Sequence, residues 1–243
     1  MDYKLVLDFG NTLRKAAVFH GDSLVELQST SSDIVTIIEL FRQKYPQMNS
    51  AILSTVVHID LHLLHYLKQN FQFLLFDHET KIPINNAYKT PVTLGKDRIA
   101  AAIGAFKCFP NRNVLIIDAG SSITYEILTK DANYLGGAIS LGIHLRAKAL
   151  NHFTDQLPLV EPRLQVKLVG DDTESCLQSG IVNGAIAELS TMIQAYENQF
   201  SDLKIILTGG DAIYFEKSLK YDIFASENLV LEGLNYILDY NDL

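Results

Sequence analysis

Short apolar runs separated by turn residues mark out the first half of the chain. Tyr3–Leu7, Arg14–Phe19 and Leu24–Leu27 predict a three-strand meander, with His20-Gly21-Asp22 as a tight turn. Ser32 stands where a residue can cap a helix running to about Tyr45. Ile34, Ile37, Ile38 and Phe41 fall on one face of it, and Pro46 stops it. Ala51–Val56 then reads as a buried strand, His58–Gln69 as a helix and Phe71–Phe76 as another strand. From Asp77 to Gly95 the chain is rich in turn residues, including Pro83, Asn85, Asn86 and Pro91, and a loop of this length points to function. A helix dense in alanine and glycine follows, from about Asp97 to Phe109.

Pro110-Asn111-Arg112-Asn113 is the best boundary, dividing the chain into residues 1–112 and 113–243. Beyond it the strand–turn–strand pattern restarts, with Val114–Ile117 and Thr124–Leu128 as strands. Gly136-Gly137-Ala138-Ile139 reads as a glycine-rich turn leading through Gly142-Ile143 into a helix, and Asp155 to Asp172 as irregular. A long helical stretch reaches about Phe200, with a break expected near Gly180 and Gly184, and its apolar run around Ile181–Ile193 would suit an interface. Strand Lys204–Leu207 ends in Thr208-Gly209-Gly210-Asp211, and an amphipathic helix spans about Asn228–Leu238. Strands mixed with helices in each half predict a duplicated α/β fold.

Composition narrows the function classes. The 243 residues are 48% hydrophobic and 20% charged, which is ordinary for a globular chain able to build a core. A formal net charge of -8 argues against a general nucleic-acid binder. Cys108 and Cys176 lie far apart and form no CxxC pair, so a reducing, cytoplasmic setting is expected, with Cys108 packed inside an apolar helix end. Met1-Asp2-Tyr3-Lys4-Leu5 enters a strand pattern at once, without a secretory signal, and no apolar run approaches the roughly 20 residues that span a bilayer. A soluble protein is expected.

The chemistry centres on a repeated turn. Asp8-Phe9-Gly10-Asn11-Thr12 closes one apolar run and Asp118-Ala119-Gly120-Ser121-Ser122 closes another. The acid can hold a hydrated cation, and the glycine lets backbone N–H groups approach phosphate oxygens. Either copy alone fits a structural turn. Two copies with matching flanks point to two related lobes holding nucleotide phosphates between them, hence to an ATP-using enzyme. No P-loop and no dinucleotide-binding glycine motif occurs. His58, His62 and His65 have helical spacing but no companion donors, and read as a solvated face.

Asp8–Lys15 resembles the phosphate motif of type III pantothenate kinases. Gly95-Lys96-Asp97-Arg98, Asp118–Thr124, Gly136–Ile139 with Gly142-Ile143, and Thr173–Gly180 resemble further motifs of that family, in its order and across nearly the whole chain. The resemblance implies two ribonuclease-H-like lobes of the actin/sugar-kinase superfamily with a cleft between them. It implies transfer of the ATP γ-phosphoryl group to pantothenate, the first step of coenzyme A synthesis.

By the same resemblance Asp8, Phe9, Gly10, Asn11, Thr12, Leu13, Arg14, Lys15 and Ser121 would bind ATP, with Asp8 holding Mg²⁺ through water. Asp97 would be the general base, although an aspartate at a helix start can also be a simple cap. Tyr88, Gly95, Lys96, Asp97, Arg98 and Thr173 would contact pantothenate, Thr173 from a partner subunit in a homodimer. Thr173 could equally cap its helix. Asp118 would bind a monovalent cation, K⁺ or NH₄⁺. Ser121, Ser122, Ile123, Glu126 and Leu141 depart from the family's usual residues. The alternatives are a superfamily member acting on another small hydroxyl substrate and a nucleotide-binding regulatory paralogue.

Overall fold

The computed structural model describes residues 3–243; Met1 and Asp2, with which the first expected domain begins, lie outside them. Strands β1 (Tyr3–Phe9), β2 (Arg14–His20) and β3 (Ser23–Thr30) form the antiparallel meander. Helix α1 (Ile34–Lys44) leads to β4 (Ser50–Thr55), parallel to β1 on its other side, and α2 (Leu61–Asn70) leads to β5 (Gln72–Leu75), parallel to β4. The sheet order is β3-β2-β1-β4-β5. Every residue of β4 is buried, the apolar Ala51-Ile52-Leu53 and the hydroxyl residues on either side of them alike, whereas β3 at the edge alternates. Leu5, Leu7 and Phe9 pack with Ala51 and Leu53 against Ile34, Ile38 and Phe41 of α1 and Leu63 and Leu67 of α2.

Caps set the helix starts. Asp33, not Ser32, caps α1 by accepting from Val35 N–H, and Asp60 caps α2 by accepting from His62 N–H. His58 therefore precedes α2, and the three-histidine face does not form. After α2 and β5 the loop contains the short strand β6 (Asn85–Asn86) and ends at α3 (Lys96–Cys108). Cys108 is exposed at the end of α3 rather than packed inside it, because the buried residues of that helix stop at Ala105; Cys108 and Cys176 are both free thiols.

The second unit repeats the design. Strand β7 (Val114–Ala119) pairs antiparallel with β8 (Ser122–Leu128), and β9 (Asn133–Leu141) lies beyond β8. Helices α4 (Ile143–His152) and α5 (Thr173–Gln199) follow, then β10 (Lys204–Thr208), parallel to β7, and β11 (Ile223–Ala225), parallel to β10. The order β9-β8-β7-β10-β11 reproduces that of the five-stranded first sheet, and the short β6 adds a sixth strand beyond β9. This is the duplicated α/β architecture expected of ribonuclease-H-like lobes.

Three local readings change. Gly136 and Gly137 lie inside β9, not in a turn; a methyl group on Gly137 would overlap the Tyr125 carbonyl of β8. Helix α5 is continuous through Gly180 and Gly184. Its Ile181, Val182, Ala185, Leu189 and Ile193 face the core of this unit and so are not an interface. The outward side of α5 carries Cys176, Gly180, Gly184, Ala187 and Thr191 instead.

Helix α6 (Leu229–Tyr240) returns to the first unit. It buries Leu231, Leu234, Ile237 and Leu238 and packs tightly on α3. Gly104 permits the approach, since a Cβ there would stand 2.5 Å from the Leu229 carbonyl. An ion pair of 2.6 Å between Lys4 Nζ and Asp239 Oδ1 ties α6 to β1. The compact units are therefore residues up to Pro110 with 132–135 and 228–243, and residues 111–131 with 136–227. A division of the sequence at 112/113 differs from this chiefly at the last helix, whose docking partner no linker signal reveals. Among the described residues no helix is long and apolar enough to cross a membrane.

Candidate active-site residues

In the first unit Asp8 stands opposite Lys15 of β2 and Ser54 of β4. Residues directly opposed across neighbouring strands share a face of the sheet, so these three side chains converge. Asp8 keeps some accessible surface but has protein on most sides. Burial, with the charge of Asp97 adding to it, pushes its carboxyl up to about 6 against the pull of Lys15 and Ser54. Ser54 is fully buried, and its Oγ has no defined hydrogen-bond partner, although it lies close enough to Asp8 to favour the ionised carboxylate.

The turn after Asp8 is closed by Gly10 N–H donating to the Leu13 carbonyl at 3.0 Å, which leaves Asn11, Thr12 and Leu13 exposed at its tip. Phe9 places its ring in the core, so only its backbone can serve a nucleotide. Arg14 lies over the Phe9 ring at 5.4 Å and donates from Nη1 to the Ser32 carbonyl at 3.2 Å. Of the two basic residues in this run, Lys15 is the one paired with Asp8.

Asp97 is the second residue of α3, and Gly95 occupies the cap position without a side-chain bond. Capping therefore does not account for Asp97. The positive end of the helix favours its charge. A Cβ at Gly95 would stand 2.6 Å from Asp97 Oδ1, so glycine leaves room for the carboxylate, and Arg98 N–H donates to that oxygen at 2.9 Å. Lys96, the first helical residue, is half-buried. The Arg98 side chain is buried with its guanidinium 5.7 Å from the centre of the Tyr88 ring. Tyr88 in turn donates its N–H to Asn86 Oδ1 at 3.1 Å and lies 6.3 Å from the Tyr134 ring.

In the second unit Asp118 stands opposite Thr124 of β8 and Thr208 of β10, the counterparts of Lys15 and Ser54. Its turn is shorter, closed by Gly120 N–H to the Ser122 carbonyl at 3.0 Å, with Ser121 exposed at the tip. Two more segments press on this turn. A Cβ at Gly142 would stand 2.5 Å from the Ser121 carbonyl, and Gly209, at φ +95, abuts the Ala119 carbonyl and the Asp118 carboxylate. Asp211 N–H donates to the Ala119 carbonyl at 2.8 Å. Its carboxyl, raised by burial, lies 3.7 Å from His144 Nε2, while His144 Nδ1 is 3.3 Å from Glu161. Thr173 is exposed as the first residue of α5, and the cap is Asp172, in a reciprocal box with Ser175.

Ser54 and Thr208 were not singled out by sequence reasoning. The signal is present in both halves: a hydroxyl residue directly after three apolar strand residues, as the acid follows the apolar run of β1 and β7.

The profile of the type III pantothenate kinase family matches residues 4–195. A type III pantothenate kinase of Christiangramia forsetii is 47% identical over 238 residues, covering 98% of each chain. One of Phocaeicola vulgatus is 39% identical over 239 residues, again covering 98% of each. Among solved structures, the ROK hexokinase of Thermus thermophilus shares the fold at a TM-score of 0.58 and 12% identity, over 99% of this chain and 100% of that one. The chain belongs to the type III pantothenate kinase family.

Proposed function

We propose that this kinase transfers the ATP γ-phosphoryl group to the primary hydroxyl of pantothenate, giving 4′-phosphopantothenate for coenzyme A biosynthesis. The observation that carries the assignment of roles is the electrostatic coupling of Asp8 and Asp97 within one unit. One carboxylate sits at a glycine turn suited to phosphate, the other at a helix start beside a buried arginine.

In this reading Asp97 accepts the proton of the pantothenate hydroxyl as its oxygen bonds to the γ-phosphorus and the ADP oxygen departs. Arg98, backed by the Tyr88 ring, binds the pantothenate carboxylate with two parallel N–H donors. Gly95 and Lys96 shape the entry to that pocket. The N–H groups of Asn11 and Thr12 and the Thr12 hydroxyl, with Lys15, bind phosphate oxygens, Gly10 closes the turn that presents them, and Ser121 contacts ATP.

The donors around Asp8 fit a hydrated Mg²⁺. They are hard oxygens, and the buried Ser54 hydroxyl has bonding capacity to spare. Among the described residues no three acids, histidines or cysteines gather into a metal cage, which suits an ion carried mainly by ATP phosphates and water. When bound, the ion neutralises phosphate charge. Asp118, flanked by Thr124 and Thr208, offers oxygen donors of the kind a K⁺ or NH₄⁺ ion takes.

A homodimer completes the proposal, with Thr173 serving the partner subunit's pantothenate. The small-residue side of α5 supports it, as does the apolar hollow lined by Leu141, Leu150 and Phe153, whose ring is 81% exposed. We place the enzyme in the cytoplasm on its free thiols. The test is mass-spectrometric detection of 4′-phosphopantothenate from purified protein, Mg-ATP, pantothenate and a potassium or ammonium salt. Absence of product from folded protein, with turnover of a sugar or other hydroxyl acceptor, would replace pantothenate as substrate.

A further inference from the structure

A buried hydroxyl without a partner is a cost that folding does not explain. Ser54 lies in β4 after Ala51-Ile52-Leu53, all fully buried, and it is fully buried itself. Among the described residues no well-formed hydrogen bond reaches its Oγ, whereas most buried polar side-chain atoms in native proteins have at least one, and the only group it is seen to act on is the Asp8 carboxylate. Alanine would fill nearly the same space with nothing left unsatisfied. The hydroxyl stands beside a charged group, since Asp8 is the partner residue of Ser54 across the β1–β4 ladder and its carboxylate feels Ser54 as a donor. The neighbouring hydroxyl, on Thr55, is already engaged with the Val57 backbone and cannot substitute for it.

The duplication supplies an independent observation. In the second sheet the residue facing Asp118 from the parallel strand is Thr208, which follows three apolar residues as Ser54 does and is also buried. The other flank differs between the copies, being Lys15 in one and Thr124 in the other. Two sheets with the same strand order thus keep a hydroxyl at the same place while the opposite neighbour changes.

We propose that Ser54 is a positioning residue of the phosphate site: it donates its hydroxyl proton to the Asp8 carboxylate from the buried side, so that Asp8 meets metal–ATP in one orientation. The proposal rests on the kinase reading given above. Ser54 touches neither pantothenate nor the transferred phosphorus, so it acts through Asp8 alone.

The experiment compares wild type, Ser54→Ala and Ser54→Thr. Mn²⁺ binding to the enzyme–ATP complex is read by electron paramagnetic resonance without pantothenate, alongside thermal melting and the KM values for metal–ATP and pantothenate. Ser54→Ala is expected to melt at or above the wild-type temperature, to weaken Mn²⁺ binding by about 10-fold or more, and to leave the KM for pantothenate unchanged. Ser54→Thr, which keeps the hydroxyl as in Thr208, is expected to restore Mn²⁺ affinity. Unaltered Mn²⁺ affinity in folded Ser54→Ala, or failure of Ser54→Thr to restore it with melting intact, would overturn the proposal. If Ser54→Ala does not fold, Ser54→Thr decides alone: wild-type Mn²⁺ affinity supports the proposal, and a loss overturns it. Because Mn²⁺ binding needs no acceptor, a wild-type enzyme inactive on pantothenate would refute the substrate assignment while leaving this result readable.

Discussion

Asp97 lies near enough to Asp8 that its negative charge helps to raise the Asp8 pKa. Two acids to which different tasks are proposed therefore sense each other inside one unit. Lys15 acts on Asp8 in the opposite sense, and the balance is dominated by burial. In the proposed reading a divalent ion held at Asp8 would favour its ionised carboxylate, leaving the proton transfer to Asp97.

Replacing Asp97 by Asn should lower kcat by about 10²–10⁴-fold, the range for loss of a general base. ATP affinity should stay within a few-fold, and the Asp8 carboxyl should titrate lower once its negative neighbour is gone. Single-turnover rates, ATP binding calorimetry and carboxyl NMR titration check the three parts. Near-normal turnover would move the base to another residue.

Asp8 itself makes stability depend on pH. Its carboxyl titrates at 3.8 when unperturbed and at about 6 in the fold. Between those values the folded protein retains a proton that the unfolded chain has released, so stability falls as pH rises through the window and the loss is complete above it. A shift of this size corresponds to on the order of 3 kcal/mol. Asp8→Asn should accordingly be more stable than wild type at about pH 7.5 and similar at about pH 3.5, as measured by urea unfolding. The same variant should lose metal–ATP binding. Equal stability at the higher pH would show that Asp8 is better solvated than its surroundings indicate.

Much of this site could be read in the sequence because local rules produce it. The glycine turns at Gly10 and Gly120 follow from strand–turn–strand patterns, and Gly95 before Asp97 marks a helix start whose first turn must hold a carboxylate. What escaped was set by tertiary contact. Gly136 and Gly137 look like a turn, yet they form a strand because β8 passes too close for any side chain at 137. Ile181–Ile193 has the apolarity of an interface, yet it fills a core that the sequence does not display. Ser54 is a single serine among apolar residues, and only the β1–β4 register shows that it faces Asp8. Helix α6 carries a clear apolar face, but its partner, α3, lies more than half the chain away.

Arg98→Lys tests the pantothenate end of the site. Lysine keeps the charge but loses the planar pair of donors and the guanidinium placed over the Tyr88 ring. Losing a charge-assisted hydrogen bond costs about 1.5–3 kcal/mol. The KM for pantothenate should thus rise roughly 10- to 150-fold, while the KM for ATP and the melting temperature change little. A matched rise in both KM values would place Arg98 on phosphate instead.

Two glycines in helices should respond in opposite directions to the same substitution. Gly233 of α6 faces α3, where a methyl group would overlap the Ala100 carbonyl and sit 2.9 Å from Gly104 N. Gly233→Ala must force the helices apart, at a cost of about 1–3 kcal/mol or more. Gly180 of α5 is exposed, and a methyl group added there would have nothing within 4 Å, so Gly180→Ala should gain roughly 0.5–1 kcal/mol from reduced chain entropy. Chemical denaturation of both variants at low protein concentration measures the folding terms. Sedimentation of Gly180→Ala then separates folding from association: if the open side of α5 joins two subunits, the added methyl weakens the dimer while strengthening the helix. A dimer unchanged by Gly180→Ala and by the bulkier Gly184→Leu would place the subunit interface elsewhere.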